Sequence, residues 1–407
     1  MISSADIFQA RERIRDFIYV SPSAYSETVS RLAGGRVFFK LENLQMTGSF
    51  KERGAVNRLA TLAPGEARKG VVTASAGNHG LAVAFHARRL GIRATVVMPV
   101  RAPLIKVAQV RRYGAESLLA GDDYDGAYAE AMKIARERGL AYIHGFDDPM
   151  IVAGQGTVGL ELREQNPDLE AVVVPVGGGG LIAGIALALK EANPNIRVVG
   201  VQAERVPSMK AALERGRPVR VAPAATIADG ISVRQVGEIP LEIVRRYVDD
   251  LVTVSEGEIA NAVLLLLEIE KTVAEGAAAV PLAALVNKKI GLEGKNTALV
   301  VSGGNIDVNL VARIIEKGLV QDGRLARLSV VLADRPGSLA RLAAAVAKEG
   351  ANVLSVEHAR GFGELEIGET RIELILETTG REHIARIHGA LEKDGFRIDP
   401  PPAQQTR

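Results

Sequence analysis

Short, uniformly apolar runs alternate with stretches of helical periodicity along most of the chain. Val37-Phe38-Phe39, Val71-Val72-Thr73, Ala94-Thr95-Val96-Val97-Met98, Val172-Val173-Val174, Val198-Val199-Gly200-Val201 and Leu299-Val300-Val301 each read as a strand covered on both faces. With helical patterns between them, these runs predict parallel α/β sheets flanked by helices. Near Gly318 the pattern changes. Leu328, Val330 and Leu332 alternate on one strand face, and the turn Asp334-Arg335-Pro336-Gly337-Ser338 leads into a helical pattern at Leu339, Leu342, Ala343 and Val346. Asn352 to Val356 and the charged-apolar alternation Arg371 to Glu377 follow as strands, then a helix over Ile384 to Leu391 and a last strand at Phe396-Arg397-Ile398. This order, βαββαβ, predicts a small α+β domain.

Three segments that follow strands carry residues suited to chemistry. Ser75-Ala76-Gly77-Asn78-His79-Gly80 follows Val71-Val72-Thr73 and opens a helix, so free amides face outward at a positive helix end that attracts an anion. Gly177, Gly178, Gly179 and Gly180 lie between Val172 to Val176 and the helical run from Leu181. Without side chains in the way, several backbone N–H groups can converge there on a phosphate. Ser302-Gly303-Gly304-Asn305 puts a hydroxyl at the C-terminal end of a buried strand, where ligands sit in open α/β sheets. A fourth segment, Gly48-Ser49-Phe50-Lys51-Glu52-Arg53-Gly54-Ala55, frames a lysine. Each piece alone has a plainer reading, since glycine turns serve many phosphate ligands and a lone histidine such as His79 is more often a packing residue. No Gly-x-Gly-x-x-Gly with an acidic residue about 20 positions later is evident, which counts against a dinucleotide.

Composition narrows the classes. The 407 residues are 47% hydrophobic, enough for two or three domains, and 50 basic against 48 acidic residues give a net charge of +2. Nothing in that balance favours nucleic acid or an anionic membrane as partner. Cysteine is absent, which excludes disulfides and thiolate chemistry, and the start Met1 to Asp6 lacks the regions of a signal peptide, so the cytoplasm is the expected compartment. The uncharged stretch Ala171 to Leu189 has the length of a membrane span, but Pro175 and four glycines would ruin such a helix.

Taken together and in this order, the four segments resemble the serine/threonine dehydratase family of pyridoxal-phosphate enzymes with the two-lobed tryptophan-synthase-β (type II) fold, from about Ile7 to Lys317. The resemblance implies a catalytic domain over 1–318, its smaller lobe at about 49–142, and pyridoxal 5'-phosphate as cofactor, with Lys51 as the lysine that bonds its aldehyde. It further implies that Phe50 packs on the pyridine ring, Asn78 meets the phenolic oxygen, Gly177, Gly178, Gly179, Gly180 and Leu181 hold the phosphate through their amides, and Ser302 faces the ring nitrogen. The substrate carboxylate would sit on Ser75, Ala76, Gly77, Asn78 and His79, with Ser75 joining Lys51 in catalysis. The implied reaction is β-elimination of water from L-threonine and L-serine, giving a 2-oxo acid and ammonia.

Two departures bear on relatives in the family. In serine racemases the position matching Ala76 carries a second serine, so elimination with little racemisation is expected here. Their divalent-ion cluster lies near Glu204, yet Arg205 to Lys210 supplies no second carboxylate, and no metal site is expected. Beyond a linker at 319–326, residues 327–399 resemble an ACT domain, an amino-acid-sensing module. Asp334, Gly337, Ser338, Leu339 and Asn352 are the implied effector residues, with isoleucine or valine as effector; a purely oligomeric role is the alternative. A biosynthetic or catabolic enzyme that is a homo-oligomer, tetramer or dimer, is implied, and the tail 400–407 reads as disordered. The readings from other classes are a replacement enzyme such as a threonine synthase, and a non-catalytic amino-acid-binding regulator.

Overall fold

The computed structural model describes residues 2–359 and 365–399. The chain divides into two compact units, Met1–Asp307 and Val308–Arg407.

In the first unit ten strands run in order: β1 (Ser23–Tyr25), β2 (Arg36–Leu41), β3 (Val71–Ala74), β4 (Ala94–Met98), β5 (Glu116–Leu119), β6 (Ala141–Tyr142), β7 (Ala171–Pro175), β8 (Arg197–Ala203), β9 (Asp250–Val254) and β10 (Asn296–Val301). They form a six-stranded sheet of order β1-β2-β10-β7-β8-β9 and a four-stranded sheet of order β5-β4-β3-β6. All neighbours are parallel except β1 on β2. The six apolar runs read from the sequence are all strands. Strands β5 and β9 escaped that reading because Glu116 and Asp250 break the apolar run. The larger sheet encloses a core that includes Val172, Val174, Ile182, Val198 and Val300, whereas the smaller one packs Val71, Leu81, Val96 and Met98 against Leu59 and Ile151.

Four helices of this unit position the site: α1 (Lys51–Ala60), α2 (Asn78–Arg89), α3 (Pro149–Gln165) and α4 (Gly180–Lys190). Helices α1 and α3 cross at backbone contact, since a Cβ on Gly154 would lie 2.5 Å from the Arg53 carbonyl and one on Gly54 would lie 2.8 Å from that of Ile151. At this crossing Arg53, 1% exposed, is forked between Glu42 (2.7 and 2.8 Å) and Glu161 (2.6 and 2.9 Å), and Lys40 completes the group on Glu161 at 2.6 Å. Burial costs such charges their hydration, so each must stay paired. Arg53→Ala is therefore expected to lower unfolding stability by about 3–5 kcal/mol, measured by denaturant titration, because it leaves the buried Glu42 carboxylate without its cation and Glu161 with Lys40 alone.

The second unit holds α5 (Val308–Gln321), β11 (Leu325–Ala333), α6 (Ser338–Lys348), β12 (Asn352–Ala359), β13 (Glu369–Glu377), α7 (Arg381–Lys393) and β14 (Arg397–Asp399). Its antiparallel sheet has the order β12-β13-β11-β14, around a core including Leu328, Val330, Leu342, Val346, Ile372 and Leu374. Of the expected linker at 319–326, residues 319–321 end α5, 322–324 form a turn and 325–326 begin β11. A single glycine costs a helix only about 1 kcal/mol, and α5 runs through Gly318. The tail 400–407, read as disordered, lies outside the described residues. No helix among those residues is long and apolar enough to cross a membrane.

Candidate active site

Lys51 is the first residue of α1, and the segment before it is tied to the end of β10. Phe50 N–H donates to the Ser302 carbonyl at 3.0 Å and Gly304 N–H to that of Gly48 at 2.9 Å, with Ser49 and Gly303 paired antiparallel between them. The lysine and the Ser302 hydroxyl thus share one short ladder. Lys51 Nζ donates to the Gly145 carbonyl at 2.9 Å and lies 5.1 Å from the Phe50 ring centroid. Its partner is a neutral oxygen. Desolvation pulls the amine down to about 8, against which the nearby Glu275 raises it.

The glycine loop reaches the same place through Phe146. A Cβ on Gly178 would lie 2.3 Å from the Phe146 ring, and one on Gly180 would lie 3.0 Å from its carbonyl. Gly179 has φ +97°, a backbone region that side chains rarely tolerate. Helix α4 starts at Gly180, so its first amides have no partner within the helix and stand at the C-terminal edge of β7. Packing and backbone geometry require these glycines even before any ligand is considered.

Between β3 and α2 the turn at Ser75 is shaped by its own hydroxyl, which accepts from Gly77 N–H at 3.1 Å. His79 donates from Nε2 to the Ile143 carbonyl at 3.1 Å and sits 3.7 Å from where a Gly145 Cβ would be. Burial first, and then the Lys51 charge, push its imidazole down to about 3, so it stays neutral and acts as a packing and hydrogen-bonding group. Its side chain therefore does not supply a cation for a substrate carboxylate. Asn78 Nδ2 donates to both Glu275 oxygens at 2.9 and 3.0 Å, while its Oδ1 accepts from Asn305 Nδ2 at 2.9 Å. That amide is fixed in one orientation.

Several of these partners were not singled out from the sequence. Glu275 is a buried carboxylate pushed up to about 7, by burial first and by Asp229 next. Room for it is made by Gly230 and Gly303, where a Cβ would come within 2.9 and 2.8 Å of Glu275 Oε1. In sequence it looks like an ordinary acid before the helix Gly276–Val286. Lys106, which donates to the Asn305 carbonyl at 3.0 Å, carries no such signal either, whereas Asn305 belongs to the Ser302-Gly303-Gly304-Asn305 segment.

In the second unit Asp334, Gly337, Ser338 and Leu339 line a cavity of about 500 Å³ together with His358 and Thr370. Asn352 is not among its lining residues and donates instead to Glu377 at 3.1 Å.

An amine that can be neutral, a run of free helix amides and a strand-end hydroxyl are thus linked through Phe50, Gly145 and Phe146. Residues 14–303 match the family model described as pyridoxal-phosphate dependent enzyme, and residues 326–396 match that of the ACT domain. The chain belongs to the pyridoxal-phosphate dependent enzymes, and its cofactor is pyridoxal 5'-phosphate. The L-threonine ammonia-lyase of Thermotoga maritima is 49% identical over 398 residues, 98% of this chain and 99% of that protein. Among solved structures, the processed form of threonine deaminase isoform 2 from Solanum lycopersicum is 36% identical with a TM-score of 0.73, covering 77% of this chain and 88% of that one. Maize serine racemase is 33% identical with a TM-score of 0.74, covering 79% and 98%.

Proposed function

We propose that the protein is a threonine ammonia-lyase that removes water from L-threonine, and from L-serine, to give 2-oxobutanoate or pyruvate and ammonia. The observation that carries this reading is the depressed Lys51 amine, held on the Gly145 carbonyl beside the Phe146 ring that packs into the glycine loop. When bound, pyridoxal phosphate supplies an electron sink for the charge left at the substrate α-carbon.

The chain's own residues would do the rest. Lys51 would bond the cofactor and, once released, take the α-proton, a task suited to an amine that burial has pulled down to about 8. The amides of Gly177 to Leu181 would hold the phosphate. Ser302 would face the ring nitrogen with a hydroxyl, which stabilises a pyridinium less than a carboxylate does and so favours loss of the β-substituent over transamination. The Ser75 to His79 turn would take the substrate carboxylate. Phe50, beside the Lys51 amine, would cover the ring, and Asn78, fixed by Glu275 and Asn305, would set its tilt.

Ala76 has no acid-base group, which supports elimination over racemisation. For the ACT domain we propose a branched-chain amino acid, isoleucine or valine, as effector, in a cytoplasmic homo-oligomer. Purified protein given L-threonine alone is expected to release 2-oxobutanoate and ammonia in equal amounts, measured by a coupled dehydrogenase assay. Turnover that needs a second nucleophile or a phosphorylated substrate would support the replacement reading, and rapid D-serine formation from L-serine the racemase reading.

A further inference from the structure

Glu52, next to Lys51, and His86, on α2, are both fully buried. His86 Nε2 and Glu52 Oε2 are 2.9 Å apart. The carboxylate can only accept, so the ring donates from Nε2. His86 Nδ1 has no hydrogen-bond partner among the described residues, which fits that tautomer, and the ring is wedged edge-on between Phe17 and Phe85. The other Glu52 oxygen accepts from Thr47 N–H. Thr47 in turn accepts, at its carbonyl, from Asn305 Nδ2 at 2.7 Å, and Asn305 bonds Asn78 Oδ1 at 2.9 Å. Asn78 is the first residue of α2, the helix that carries His86. The bonds therefore close a ring: Asn78, along α2 to His86, across to Glu52, to Thr47, to Asn305 and back.

Lys51 hangs from this ring at Glu52. Arg53 anchors α1 to α3 by a separate ionic group, and the ring adds directed hydrogen bonds to the apolar packing of Leu59 on Leu81 that holds α1 against α2. A buried carboxylate without its partners is costly, so the ring holds in one arrangement.

We propose that Glu52 and His86 are a positioning pair, fixing the distance and angle between the Lys51 amine and the Asn78 turn for the reaction proposed above. Neither residue touches the reacting atoms. The proposal rests on the reading of Lys51 as the reacting amine, and an active parent enzyme in the same assays separates failure of one from failure of the other.

The test compares full-length, cofactor-loaded Glu52→Ala and Glu52→Gln with the parent. A glutamine keeps an acceptor for Thr47 and a donor for the other His86 tautomer, whereas alanine keeps neither. Glu52→Ala is expected to lower kcat about 10- to 100-fold with little change in KM, the scale of a small misplacement of a reacting group. It should keep the visible absorbance of the bound cofactor but weaken its visible circular dichroism, which reports how the ring is held. Glu52→Gln should retain most of both. Unchanged kcat and dichroism in Glu52→Ala would overturn the proposal, as would a loss that follows the unfolded fraction and vanishes on cooling. If Glu52→Ala does not fold, His86→Gln, which still donates to Glu52, is compared with His86→Leu, which does not. A higher kcat in the glutamine variant supports the pair and equal values refute it.

Discussion

Lys51→Ala is expected to lose turnover of L-threonine by roughly 10³-fold or more and to lose the yellow absorbance of the bound cofactor, while the protein stays folded. The size of the effect follows from what the side chain is asked to do twice, once as the covalent anchor and once as the base at the α-carbon. No neighbouring group is placed to replace it in both tasks. His79 is held neutral at the Ile143 carbonyl, and Glu275 faces Asn78. The variant should not be less stable at pH 7. A folded-state pKa of about 8 against an ordinary 10.5 means that burial works against the charged amine, and below both values that penalty is fully present in the parent. Thermal unfolding of cofactor-free protein would then show the alanine variant level with the parent or above it. As pH rises from about 8 towards 10.5, the folded parent sheds its proton before the unfolded chain does and recovers that stability. A variant that unfolds at room temperature would indicate a structural lysine.

Gly178→Ala is the second large effect expected. The added methyl would stand 2.3 Å from the Phe146 ring, so the ring must move. Phe146 is bonded to Gly145, whose carbonyl holds Lys51 Nζ at 2.9 Å. Displacing the ring thus disturbs the amine and the α4 amides together. Overpacking of this kind costs about 1–3 kcal/mol of stability. Cofactor affinity, followed by absorbance titration, is expected to fall about 10- to 100-fold, since the amides have to stand in a fixed geometry to act as a phosphate site. Pairing the substitution with Phe146→Leu, which frees space beside residue 178, should restore part of the loss. An affinity equal to that of the parent would mean that the loop does not hold the phosphate.

The parts of this site that could be read in the sequence are those whose chemistry is local. A glycine run between a strand and a helix, or a lysine in a Ser-Phe-Lys frame, announces itself in consecutive letters. Glu275 and Lys106 do not, because their roles arise from the packing of helix ends far apart in the chain, and an acid before an apolar helix is common. Asn78 was noticed for the turn it opens, but its partners, Glu275 and Asn305, belong to segments 197 and 227 residues away. The same division holds for the fold. Central parallel strands such as β7 and β10 are buried on both faces and read as unbroken apolar runs, while β5 and β9 carry acids that hide them. Helix α5 shows how weak a stop signal one glycine is. Its apolar stripe, Leu310, Val311, Ile314, Ile315 and Leu319, carries it past Gly318.

The account depends most on which amine bonds the cofactor, and that can be observed directly. Holoenzyme reduced with borohydride, digested and analysed by peptide mass spectrometry is expected to carry the cofactor on the peptide that contains Lys51. The adduct on any other lysine, such as Lys106 at the Asn305 carbonyl, or no adduct at all, would contradict it.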